Sequence, residues 1–178
     1  MKPINLRVEY LTNPIGIDIK TPRLSWNYGN GNRQSAYQII AKDEDDNVIW
    51  DSGKQLSSQM HLVKWGAKAL ESRKLIKWTV TAWDENGLSE TSDEACFELG
   101  LISKEDWVAE WITGDYVVDK KKRYPVDCFK KVFEIPVDKK AKRARAYMSA
   151  CGVYEGCLNG EKIGDFFLAP GITDYRKR

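Results

Sequence analysis

From Leu75 to Leu99 the chain carries the pattern of a buried hairpin, and that pattern restricts the fold more than any other stretch. Ile76, Trp78, Val80 and Ala82 take every second position, with Lys77, Thr79 and Thr81 between them. A period of two places one face in a core and the other in water, as a half-buried strand requires. Asp84-Glu85-Asn86-Gly87 supplies the turn, since Asn and Gly tolerate positive φ. Ala95, Phe97 and Leu99 then resume the alternation against Glu94, Cys96 and Glu98. The expectation is an antiparallel hairpin with Trp78 in the core and Glu94 and Glu98 on the wet face.

The preceding residues read as further strands. Ile4 to Tyr10 alternates, with Ile4, Leu6, Val8 and Tyr10 on one side. Asn13 to Asp18 is broken by Pro14 and Gly16, and Leu24 and Trp26 share a face after Pro22. The turn Gly29-Asn30-Gly31-Asn32 leads to a strand with Tyr37, Ile39 and Ala41 in register, closed by the acidic turn Asp43 to Asn47. Val48 to Gly53 and Met60 to Trp65 are shorter apolar pieces. About seven strands in about a hundred residues suggest a β-sandwich of immunoglobulin or fibronectin type III-like form. No pair of cysteines brackets a strand Trp, which disfavours the disulfide-linked immunoglobulin version.

After Leu99-Gly100 the texture changes, and Ser103 is placed to cap a short helical turn with acids at 105 and 106. The predicted domains are 1–101 and 102–178. In the second, strands are expected at Glu110 to Thr113, Phe129 to Ile135, Arg143 to Ala150 and Val153 to Leu158, with Glu161 to Gly164 returning across Asn159-Gly160. Asp115 to Asp127 is a lysine-rich connection. Such a set makes an incomplete sandwich with open edges, which predicts self-association and a chain that is a fragment of a longer protein.

Charge and residue counts narrow the function. A formal charge of +2 does not by itself call for an acidic partner. The basic runs Lys120 to Arg123 and Lys139 to Arg145 have acids beside them, so no nucleic-acid partner is expected. No run of about eighteen apolar residues occurs, so no membrane partner is expected. Met1 to Asn5 lacks the apolar block of a secretory signal. A cytoplasmic chain and an exported one whose signal was removed both fit. Cys96, Cys128, Cys151 and Cys157 form no C-x-x-C pair, and buried free thiols are expected. With His61 the single histidine, neither a metal site nor a Ser-His-Asp arrangement is expected, and no cofactor loop is present. The 26 acids fall in turns or on wet strand faces, so no catalytic residue is assigned. Seven Trp and eight Tyr invite a carbohydrate-binding reading. Trp26, Trp78 and Tyr37 sit in the apolar register as core, whereas Trp50, Trp65, Trp83, Trp107 and Trp111 are undetermined.

Several segments together resemble a known family. Asn13 to Asp18, Pro22 to Trp26, Gln34 to Ile39, Trp50 to Gly53 and Trp78 to Asp84 are similar to the N-terminal fibronectin-like domain of bacterial α-L-rhamnosidases of glycoside hydrolase family 78. Phe97 to Leu101, Trp107 and Trp111-Ile112 resemble its junction. Gly152 to Glu155, Leu158 to Gly160, Ile163 to Asp165, Leu168 to Gly171 and Thr173 to Tyr175 resemble the opening of the next, jelly-roll-like domain. The resemblance implies an all-β chain: a fibronectin type III-like sandwich followed by a partial jelly-roll-like β-sandwich. It also implies a parent whose (α/α)6 barrel holds the acid and base carboxylates of an inverting hydrolase acting on terminal α-L-rhamnosyl linkages. On that reading this chain alone is not an enzyme, and its partners are the catalytic barrel of its own parent and rhamnosylated carbohydrate. A stand-alone carbohydrate-binding or protein-interaction module is the alternative. One departure is Ile76, where the family tends to have the tyrosine of a tyrosine corner.

Overall fold

Ten consecutive residues, Leu75–Asp84, form the longest strand, and every second one is buried: Ile76, Trp78, Val80, Ala82 and Asp84. The alternation read from the sequence holds along its whole length. The computed structural model describes residues 2–29, 33–117, 119, 121–138, 140–141, 143–171 and 174. It divides into two units, Met1–Glu110 and Trp111–Arg178. Most of the predicted Gly29-to-Asn32 turn, as well as Lys120, Lys139, Thr173 and Tyr175, lies outside the described residues.

The first unit is a two-sheet sandwich. Its strands are β1 (Pro3–Val8), β2 (Ile15–Ile17), β3 (Arg23–Tyr28), β4 (Gln34–Lys42), β5 (Val48–Asp51), β6 (Val63–Lys64), β7 (Leu75–Asp84), β8 (Ser89–Thr91) and β9 (Ala95–Leu99). One sheet has the order β1-β3-β6; the other runs β2-β9-β7-β4-β5, with β8 also on β7. All pairs are antiparallel except β2 on β9. Leu6, Val8, Leu24, Trp26 and Val63 from the small sheet meet Tyr37, Ile39, Ile76, Trp78, Val80 and Phe97 from the large one in a single core. Aromatic edges lock the layers together. Trp26 and Tyr37 are 5.2 Å apart in a T-shaped contact, and Trp65 meets Phe97 at 6.2 Å and 87°.

Two strands went unread in the sequence, and both are short. Pro14 and Gly16 break the alternation over β2, so its sequence carries no strand pattern. It forms through backbone pairing, with the Glu98 amide donating to the Pro14 carbonyl and the Gly100 amide to the Ile17 carbonyl. β8 follows the turn at Asp84, whose carboxylate accepts the Asn86 and Leu88 amides, and it takes up the end of β7 before β9 does. Glu98, expected on the wet face, is buried. The physical reason is that β9 is an inner strand with Ile15 of β2 and Leu75 of β7 opposite Glu98, whose amide also bonds to the Pro14 carbonyl.

The expected face of β1 is also corrected. Opposite β3, Ile4 pairs with Asn27 but Arg7 pairs with Ser25, so one extra residue is inserted. Asn5 takes up the bulge at φ 53°, a conformation Asn tolerates. The frame shifts there, turning Ile4 outward while Leu6 and Val8 stay in. Glu9 and Tyr10 then adopt left-handed backbone, the strand stops, and Tyr10 is exposed.

In the second unit the Asn159-Gly160 hairpin is present: β10 (Cys157–Leu158) pairs with β11 (Glu161–Lys162), and both turn residues have positive φ. Tyr154 makes a single bridge to Ala169. The strands expected over 110–113, 129–135 and 143–150 are absent among the described residues. Alternation prepares a face, but a strand also needs a neighbour to accept its amides, and the described residues supply none to these segments. Their apolar side chains are correspondingly exposed, Phe133, Ile112 and Val132 among them. All four cysteines are free, but Cys128, Cys151 and Cys157 are exposed, because the described residues of this unit build no core around them.

Candidate functional site

Hydrolytic chemistry would call on carboxylates, and the structure gives the best-held ones structural tasks. Glu9 accepts Arg23 Nε at 3.1 Å from each oxygen, Arg23 Nη2 at 2.5 Å and the Arg23 backbone amide at 2.6 Å. The hydrogen bond from the Arg23 side chain holds this carboxyl below its usual value near 4.5, against the opposing effect of burial. Asp43 is lowered chiefly by the Asn47 side chain, Asp51 by Gln38, and Asp106 by Ser72. All four are charged at neutral pH, and none is raised into the range a general acid needs. His61 is exposed, and no group of three or more metal-ligating side chains is found among the described residues.

Because Glu9 is lowered in the folded state, the unfolded chain takes up the proton first as the solution is acidified. The stabilisation from this pair is therefore complete above about pH 4.5 and is lost as the pH falls through the folded value. Urea midpoints between pH 6 and 3 are expected to fall less steeply for Glu9→Gln than for the wild-type chain. Parallel profiles would show that the pair does not contribute.

The aromatic residues sort cleanly. Trp26, Trp78 and Tyr37 are core as expected, and Trp65 joins them, donating its indole N–H to the Lys68 carbonyl at 2.9 Å. Trp50 packs on Trp65 with centroids 4.7 Å apart. Trp83 lies on the outer face, beside Ala36 across the strand pair, with the Lys54 ammonium 4.4 Å above its ring. That cation occupies the face a sugar would stack on. Trp107 and Trp111 are exposed at 42% and 73%.

One cleft of about 370 Å³ opens where β4 begins, lined by Arg33, Gln34, Ser35, Leu56, Ser57, Ser58 and Glu85. It offers a guanidinium, a carboxylate and hydroxyl groups but no aromatic wall, so it can hydrogen-bond a small polar molecule without stacking it. Its residues come from three separate segments, the start of β4, the 56–58 loop and the turn at Glu85, so no local pattern marks it.

Comparison with known proteins identifies the architecture. The family described as the Rha78A-like, N-terminal immunoglobulin domain matches residues 3–103, more than half of the chain. The chain belongs to this family. The α-L-rhamnosidase N-terminal domain matches residues 139–178 as well. Over 193 aligned residues the chain is 35% identical to an α-L-rhamnosidase of Alteromonas sp. strain LOR, covering 99% of this chain and 21% of that protein. A Formosa agariphila α-L-rhamnosidase is 33% identical, with coverage of 96% and 20%. The crystal structure of Streptomyces avermitilis α-L-rhamnosidase complexed with L-rhamnose superposes with a TM-score of 0.58 at 35% identity, over 63% of this chain and 12% of that one. The chain thus spans about a fifth of the length of the curated relatives it matches. The resemblance read from the motif series, and the all-β class it implied, are both borne out.

Proposed function

We propose that this chain is the non-catalytic N-terminal portion of an α-L-rhamnosidase, whose parent hydrolyses terminal α-L-rhamnosyl linkages with inversion. Its β-domains scaffold the remainder of that parent, with residues 1–101 as the fibronectin type III-like sandwich and 102–178 as the beginning of the jelly roll. One observation carries the reading. Nearly the whole chain aligns with the Alteromonas α-L-rhamnosidase while accounting for only 21% of it. The apolar side chains exposed at 129–135 and 166–168 support it, since they offer a face for further strands of the same protein.

Incubating the purified chain with an aryl α-L-rhamnoside is expected to give no turnover above the buffer rate. Titrating it with L-rhamnose is expected to leave the tryptophan fluorescence without a saturable change. Turnover would overturn the non-catalytic assignment. A saturable fluorescence change would favour a carbohydrate-binding module instead.

A further inference from the structure

The chain leaves β9 at Leu99, and the residues that follow turn back onto the loop before β7. The Leu99 amide donates to the Lys74 carbonyl at 2.9 Å, and the Arg73 amide donates to the Gly100 carbonyl at 3.1 Å. The Ile102 amide reaches Ser72 Oγ at 2.9 Å, and its side chain packs against the core. A short 3-10 turn, Lys104–Asp106, then brings Asp106 round. Its carboxylate accepts the Ser72 hydroxyl, the Ser103 amide at 3.0 Å and the Ser103 hydroxyl at 3.2 Å. Arg73 Nη2 closes the ring on the Asp106 carbonyl at 2.9 Å.

Two further features belong to the same place. Arg73 holds φ at 67°, a left-handed conformation costly for a residue with a Cβ, and its backbone and guanidinium both bond to the exit segment. A Cβ on Gly100 would lie 3.0 Å from the Gly16 carbonyl oxygen, so the exit peptide is pressed against β2 on its other side. The segment is held from two directions.

We propose that Ser72, Arg73 and Asp106 form a latch that clamps the exit peptide, residues 100–107, to the first sandwich. The latch makes residues 100–107 a rigid extension of the first unit, and Asp106 is its positioning residue. No chemistry is assigned to it.

Hydrogen exchange on the whole chain, read by mass spectrometry, tests this. In the wild type the amides of Ile102, Ser103, Asp106 and Trp107 are expected to be protected. In Asp106→Ala they are expected to exchange about tenfold faster or more, with β4 and β7 unchanged. Tryptic cleavage after Lys104 should accelerate in parallel. Ser72→Ala should act in the same direction, and Asp106→Asn, which keeps one acceptor oxygen, should act less. Unprotected amides over 102–107 in the wild type would overturn the proposal, as would unchanged protection in both alanine variants. Equal acceleration throughout β4 and β7 would also overturn it, because the contact would then support the sandwich as a whole.

Discussion

Trp78→Ala is expected to destabilise the first unit by about 3–5 kcal/mol, the range for emptying a large aromatic site in a core. Trp78 is 1% exposed at the middle of β7, flanked across the sheet by Ala41 and Ala95. Burying an indole removes on the order of 200 Å² from water, or roughly 5 kcal/mol at 25 cal/mol per Å². A domain of this size has about 5–15 kcal/mol of net stability, so the variant should lose much of its margin. Thermal unfolding followed by circular dichroism should show a Tm lower by roughly 15–30 °C. A drop under about 5 °C would contradict the packing role. Trp78→Phe is the informative companion. The Trp78 indole N–H has no hydrogen-bond partner among the described residues, so Phe loses volume without orphaning an acceptor, and a cost of only about 1–2 kcal/mol is expected.

Gln34→Ala should cost about 2–3 kcal/mol for a different reason. Gln34 is 1% exposed, its Oε1 accepts the Trp26 indole N–H at 3.0 Å, and its Nε2 donates to the Ser57 and Gln59 carbonyls, each at 3.0 Å. Removing the amide strands a buried N–H, worth about 1–3 kcal/mol, and releases the loop that the two carbonyls anchor. The carbonyls can turn to water; the indole cannot. A double-mutant cycle with Trp26→Phe, read from urea midpoints, should give a coupling of about 1 kcal/mol or more. Additive effects within about 0.3 kcal/mol would show that the Trp26–Gln34 bond does not hold the sheets together.

These two residues also mark what could be read in advance. Trp78 stood out because its neighbours repeat every second position, and periodicity survives folding wherever one face is buried. Gln34 did not, since a polar residue at a strand start looks the same whether it meets water or a buried indole. β2 and β8 were hidden because each rests on backbone pairing across a few residues and not on a side-chain pattern. The Asn5 bulge shifted a face that simple alternation had fixed. In the second unit the patterns at 129–135 and 143–150 were visible, but pairing depends on strands the described residues do not provide. The cleft at Arg33 and Glu85 was illegible, as it exists only where three separate segments converge. The family, by contrast, was legible because its motifs recur in order along the chain.

Among the described residues the buried apolar ones run from Pro3 to Leu99, and all of them lie in the first unit. Once the residues up to about Trp107 have cleared the ribosome, the nascent chain holds every partner its first core needs. The sandwich is therefore expected to close while the rest is still being translated, since domains fold as units from the N-terminus. The second unit emerges afterwards, when the first sandwich has already closed, with side chains such as Phe129, Phe133 and Phe166 still exposed.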